Sequence, residues 1–76
     1  MELEEFWDVV WKEPGGPEEK EEYKGYDEAR ADYVNMANGN HGALDYVVLR
    51  KVKTNWSDTE EIEILDRTDE VPGKGA

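Results

Sequence analysis

The spacing of apolar residues along this chain switches between two periods, and each switch marks an element. In EFWDVVWK, residues 5–12, Trp7, Val9 and Trp11 recur at every second position, while Phe6, Asp8, Val10 and Lys12 face the other way. That alternation predicts a strand with one largely apolar face and one mixed face. Pro14, Gly15, Gly16 and Pro17 end it. The residues that follow carry too little apolar content for a core, so 13–25 is expected to be a long acidic exposed loop, with room for one helical turn after Pro17.

At YDEARADYVNMANG the period lengthens. Tyr26, Ala29, Tyr33, Met36 and Ala37 recur at three- and four-residue spacing, Asp27 and Glu28 occupy the first turn, and Asn38-Gly39 supplies a stop. These signs predict a helix within 26–38, with acidic side chains where the helix dipole favours them. Asn40, His41 and Gly42 form a turn-rich connector to DYVVLRKVKT, residues 45–54. There Tyr46, Val48, Arg50 and Val52 share one face, and Val47, Leu49, Lys51 and Lys53 the other. Apolar residues on both faces predict a central strand, or a bulge that changes the facing partway. After the turn NWSD, Ile62 and Ile64 alternate with Glu61 and Glu63 in a last strand near 60–66. Residues 67–76 are expected to be a frayed tail.

The order strand, helix, strand, strand predicts an α+β fold in a single small domain, residues 1–76. Its simplest form is a three-stranded, mainly antiparallel sheet with the helix packed on one face, where Trp7, Trp11, Tyr33, Met36, Ile62 and Ile64 meet. The last two strands are expected to form a hairpin.

Composition changes this picture in two ways. The chain has 76 residues with 20 acidic and 9 basic side chains, a net charge of -11, and 3 Trp, 4 Tyr and 1 Phe. High charge favours disorder, but so many aromatic side chains are the means by which a small chain builds a core, so folding is expected. The sign of the charge argues against free nucleic acid and anionic membrane surfaces as partners, since both bind through Lys and Arg. The N-terminal sequence MELEEFWDVVWKE has no basic segment of the secretory type, and the chain has no cysteine. Both suit a cytoplasmic location.

Candidate chemistry is sparse. His41 is the only histidine, and its neighbours make it a turn residue. DTEEIEILD lacks the glycine bend of a calcium loop, and NWS at residues 55–57 is read as a chance match to a glycosylation sequon. No enzyme activity, metal or cofactor is expected. Trp7, Trp11 and Trp56 are read as core residues, and any one left exposed becomes an interface anchor.

The charge remains. A compact domain of this length is roughly 30 Å across, and that length of B-DNA carries about 18 phosphates, close to the 20 carboxylates of the chain. Alternate strand residues lie about 6.8 Å apart and helix i,i+4 neighbours about 6 Å apart. Glu61 with Glu63, and Glu28 with Asp32, therefore present phosphate-like spacings. The preorganised carboxylates of Asp27, Glu28, Asp32, Glu61 and Glu63 are expected to form a partner-binding surface, with Glu18, Glu19, Glu21 and Glu22 in the loop adding long-range attraction.

YDEARADYVNMAN running into DYVVLRKVKT, with acidic flanks and an aromatic N-terminal strand, resembles the small acidic proteins by which bacteriophages take over their hosts. Within that group the chain is similar in kind to DNA mimics. The resemblance covers residues 26–54 and the composition of the whole chain. It implies an inhibitor of a basic host DNA-binding protein, with the nucleoid protein HU as the first candidate. The cluster Arg50, Lys51 and Lys53 departs from a uniformly anionic mimic. The alternative is a phage modulator of RNA polymerase or another host enzyme, acting through aromatic contacts, or a stand-alone acidic domain.

Overall fold

Trp7, Val9 and Trp11 do lie on one face of a strand. The computed structural model describes residues 3–73, and its elements are β1 (Glu4–Lys12), β2 (Glu18–Tyr23), α1 (Tyr26–Ala37), β3 (Leu44–Thr54) and β4 (Glu60–Val71). The fold is α+β, with one antiparallel sheet in the order β2-β1-β3-β4 and the helix on one face. The two strands richest in β-branched and aromatic residues take the centre, and the two acidic strands take the edges. Charged edges are how sheets avoid pairing with other chains.

The sheet has four strands, not three, because residues 18–23 pair with β1, from Lys12↔Glu18 to Trp7↔Tyr23. The expected loop over 13–25 is therefore a tight turn at Glu13 to Gly16, where Gly16 N–H donates to Glu13 O at 3.0 Å, followed by a strand. Low apolar content hid it: an edge strand with four glutamates buries almost nothing of its own, and it is held by its ladder to a well-packed neighbour.

The helix buries Ala29, Tyr33 and Met36 against Val9, Trp11, Val47 and Leu49, with Trp7, Tyr23 and Val34 at the margin. It ends as the Asn38-Gly39 signal implies. Gly39 has φ 85, and the N–H groups of Gly39 and Asn40 donate to Met36 O and Asn35 O at 3.1 and 3.0 Å. This is the double hydrogen bond of a Schellman stop, which favours glycine at its left-handed position.

Two expectations about the last strand fail for one reason, its register. Ile62 and Ile64 pair with Val52 and Arg50, so they lie on the face opposite the helix, 46% and 60% exposed. The space beside the helix is filled by later residues of a longer strand: Thr68 meets Tyr33, and Val71 is buried against the core. Residues 67–71 are thus ladder and core, not frayed tail, while 74–76 lie outside the described residues. A bulge does occur opposite Leu49 and Arg50, and its extra residue is Leu65 of β4. Among the described residues no helix is long and apolar enough to cross a membrane.

Candidate functional site

The carboxylates singled out by the sequence fall into two groups on opposite edges of the sheet. On β2, Glu19 and Glu21 lie on the helix-bearing face, opposite Trp11 and Val9, and Glu18 and Glu22 lie on the open face, opposite Lys12 and Asp8. The helix brings Glu28 and Asp32 to the same side. Tyr23, the last residue of β2, donates its hydroxyl proton to Asp32 Oδ2 at 2.5 Å. Burial, that hydrogen bond and the charges of Asp32, Glu21 and Glu28 hold the Tyr23 hydroxyl well above the usual tyrosine range. All these causes act in one direction, because each penalises a phenolate. Carboxylates from a strand and a helix thus converge on one hydroxyl. Asp27 is exposed nearby, in the first turn of the helix.

This surface is held at both margins of the helix. The Tyr23–Asp32 bond fixes the β2 side, and on the other side Tyr33 Oη and Thr68 Oγ1 share a hydrogen bond at 2.8 Å. On the open face Tyr46 donates to Glu18, and Lys12 pairs with Asp45 at 2.7 Å. The β2 glutamates are therefore structured, whereas the sequence placed them in a flexible loop.

Glu61 and Glu63 stand apart. They lie on β4, three strand spacings or about 14 Å from β2, opposite Lys53 and Lys51. The same two lysines reach Glu5, at 4.0 and 3.6 Å. This corner alternates in sign, so it is not a continuation of the β2–α1 anionic surface. The expected cluster Arg50, Lys51 and Lys53 is also divided. Arg50 turns to the open face, where it binds both carboxylate oxygens of the buried Asp8 at 2.8 and 2.6 Å.

The molecule measures 49 × 25 × 15 Å, and B-DNA of that longest dimension carries about 29 phosphates, more than the 20 carboxylates of the chain. Locally the carboxylates are also fewer than the phosphates. Six-residue β2 spans about 20 Å, a length over which one side of a duplex shows about six phosphates. On the helix-bearing face four carboxylates, Glu19, Glu21, Glu28 and Asp32, lie along that span, while Glu18 and Glu22 point to the open face with Lys20 between them.

Trp56 is the residue that sequence reasoning misplaced. It is 64% exposed, in the turn between β3 and β4, where its ring stacks on Phe6 at 5.6 Å and its indole N–H donates to Glu4 Oε2 at 2.5 Å. The signal was its position: a tryptophan inside a turn has no core face to occupy. The turn itself is tightly bonded. Asn55 Oδ1 accepts from the N–H groups of Ser57, Asp58 and Thr59 at 3.0, 3.1 and 3.0 Å, and Asn55 Nδ2 donates to Asp58 at 2.7 Å. The Asn55 side chain thus organises the turn. His41 is a turn residue, edge-on to Trp11 at 5.7 Å. Among the described residues no group of His, Cys, Asp and Glu side chains is placed to hold a metal ion.

Compared with known protein families, curated proteins and solved structures, the chain finds no match.

Proposed function

We propose that this protein is a non-enzymatic acidic inhibitor that occupies the basic DNA-binding surface of a host DNA-binding protein in the host cytoplasm and displaces DNA from it. One observation carries the reading: Glu19 and Glu21 of a hydrogen-bonded edge strand and Glu28 and Asp32 of the helix form one anionic surface on the helix-bearing face. Charges held on paired backbone keep their spacing without an ordering cost on binding. They release the partner's counterions as a phosphate row does. The nucleoid protein HU is the first target to try, on the resemblance of residues 26–54 and the acidic composition.

The test is displacement of a labelled duplex from HU at low and physiological salt. Displacement should weaken steeply with salt, and the pairs Glu28→Gln with Asp32→Asn and Glu19→Gln with Glu21→Gln should each weaken it about tenfold, in keeping with two lost ion contacts. No displacement at low salt, or a flat salt dependence, would overturn the reading.

A second reading has Trp56 in its favour. An exposed tryptophan stacked on a phenylalanine suits a modulator of RNA polymerase or another host enzyme that binds by aromatic contact. That mode predicts the flat salt dependence.

A further inference from the structure

Strand β2 stops at Tyr23, opposite Trp7, while β1 runs on to Glu4. Among the described residues no strand flanks this end of β1 on the β2 side. The notch is a groove of about 620 Å³ whose lining includes Glu4, Phe6, Glu22, Tyr23, Lys24 and Trp56, within the roughly 300–1,000 Å³ of ordinary ligand clefts. Three aromatic rings and three carboxylates, those of Glu4, Glu5 and Glu22, outnumber its one cation, Lys24.

The indole of Trp56 lies parallel to Phe6, with an interplanar angle of 6°, so one face is covered, while the residue as a whole stays 64% exposed. The indole N–H holds the Glu4 carboxylate beside the ring. A flat aromatic face next to a carboxylate is what a guanidinium group seeks, since it stacks on the one and pairs with the other. The backbone adds an independent sign. Trp56 has φ 66, a left-handed conformation that bulky residues rarely adopt and that glycine takes freely. A strained position that nevertheless carries a large exposed ring points to use of the ring.

We propose that this groove takes an arginine side chain from an extended basic segment of a partner protein. The guanidinium lies on the indole face turned away from Phe6, against the carboxylates of Glu4 and Glu22, and the segment runs along the unflanked end of β1. Charge decides the occupant: the chain carries -11 and three carboxylates line the site against one lysine, so a second copy or an anionic ligand would meet net repulsion there. The inference rests on the reading of the partner as a basic protein, and it supplies that partner's anchor.

The probe is the blocked pentapeptide Val-Arg-Val-Arg-Val, titrated into the full chain while the backbone amide resonance of Phe6, which every variant retains, is followed by NMR. The peptide should shift that resonance, and its citrulline counterpart, equal in shape but uncharged, should bind about tenfold more weakly, equivalent to about 1.4 kcal/mol. Trp56→Gly, which suits the left-handed backbone, and Glu4→Gln should each weaken binding by a similar factor. Trp56→Phe should retain most of it, and Glu70→Gln, at the far end of β4, should bind as the parent does. Equal binding by the citrulline peptide, or by Trp56→Gly, would sink the proposal. If HU loses its DNA to Trp56→Gly and Glu4→Gln as readily as to the parent, the groove is wrong and the inhibitor reading stands. If the peptide binds at Trp56 but the chain leaves HU–DNA intact, the groove stands and the inhibitor reading falls.

Discussion

Asp8 and Arg50 face each other across β1 and β3, with Asp8 only 1% exposed and bound by both Nε and Nη2 of the guanidinium. The hydrogen bonds to Asp8 hold the Arg50 guanidinium above its ordinary pKa, against the opposing effect of burial. Breaking a buried pair leaves one charge uncompensated, which costs more than the pair contributes when intact. Asp8→Ala is therefore expected to destabilise the fold by about 3 kcal/mol, the low end of the range for such pairs because the guanidinium reaches solvent. Replacing both residues, Asp8→Leu with Arg50→Met, should recover most of the loss. Urea unfolding measures both, and a single variant costing under about 1 kcal/mol would mean that Arg50 finds water easily.

Among the elements, β2 and the end of β4 are where local sequence was least informative. A strand read from its own apolar period must have such a period, and EEKEEY has none; β2 exists because β1 offers a hydrogen-bonding edge and the turn at Gly15, φ 76, returns the chain beside it. The end of β4 is hidden in the same way, with Asp66, Arg67, Asp69 and Glu70 surrounding the one buried anchor, Val71. Val71 packs into the core cluster that contains Leu44, its partner in the ladder. Val71→Ala should cost about 2 kcal/mol, since it leaves a cavity as well as losing two buried methyl groups. Amide hydrogen exchange should show Thr68 protected along with β3. A frayed tail predicts no stability change and no protection.

For the whole molecule, charge opposes folding as well as serving the proposed binding. The net charge of -11 is confined to a body 15 Å thick, comparable to the Debye length of about 10 Å at 0.1 M salt. Screening should therefore stabilise the fold: if salt relieves about 1 kcal/mol of repulsion, the Tm rises by about 4–8 °C for a domain of this size. Thermal unfolding by circular dichroism at low and physiological salt checks this. A falling Tm would show that ion pairs such as Lys12–Asp45 outweigh the repulsion. Partner binding by charge should move the opposite way over the same salt range, so the two effects are separable.

Sequence pattern alone makes legible the elements that carry their own period or stop signal: β1, α1 with its glycine stop, β3 and the β3–β4 hairpin. It also determined that the carboxylates outnumber the cations and are mostly exposed. What depends on register and on neighbours came only from the packed fold. It put Ile62 and Ile64 on the open face, because a period-two strand fits either way until its partner fixes it. It made β2 a strand, joined Glu21 to Glu28 and Asp32 around Tyr23, and separated them from Glu61 and Glu63 by the width of the sheet. Side-chain pattern reports which face a residue prefers, but the hydrogen-bonded edge of a neighbouring strand decides where that face lies.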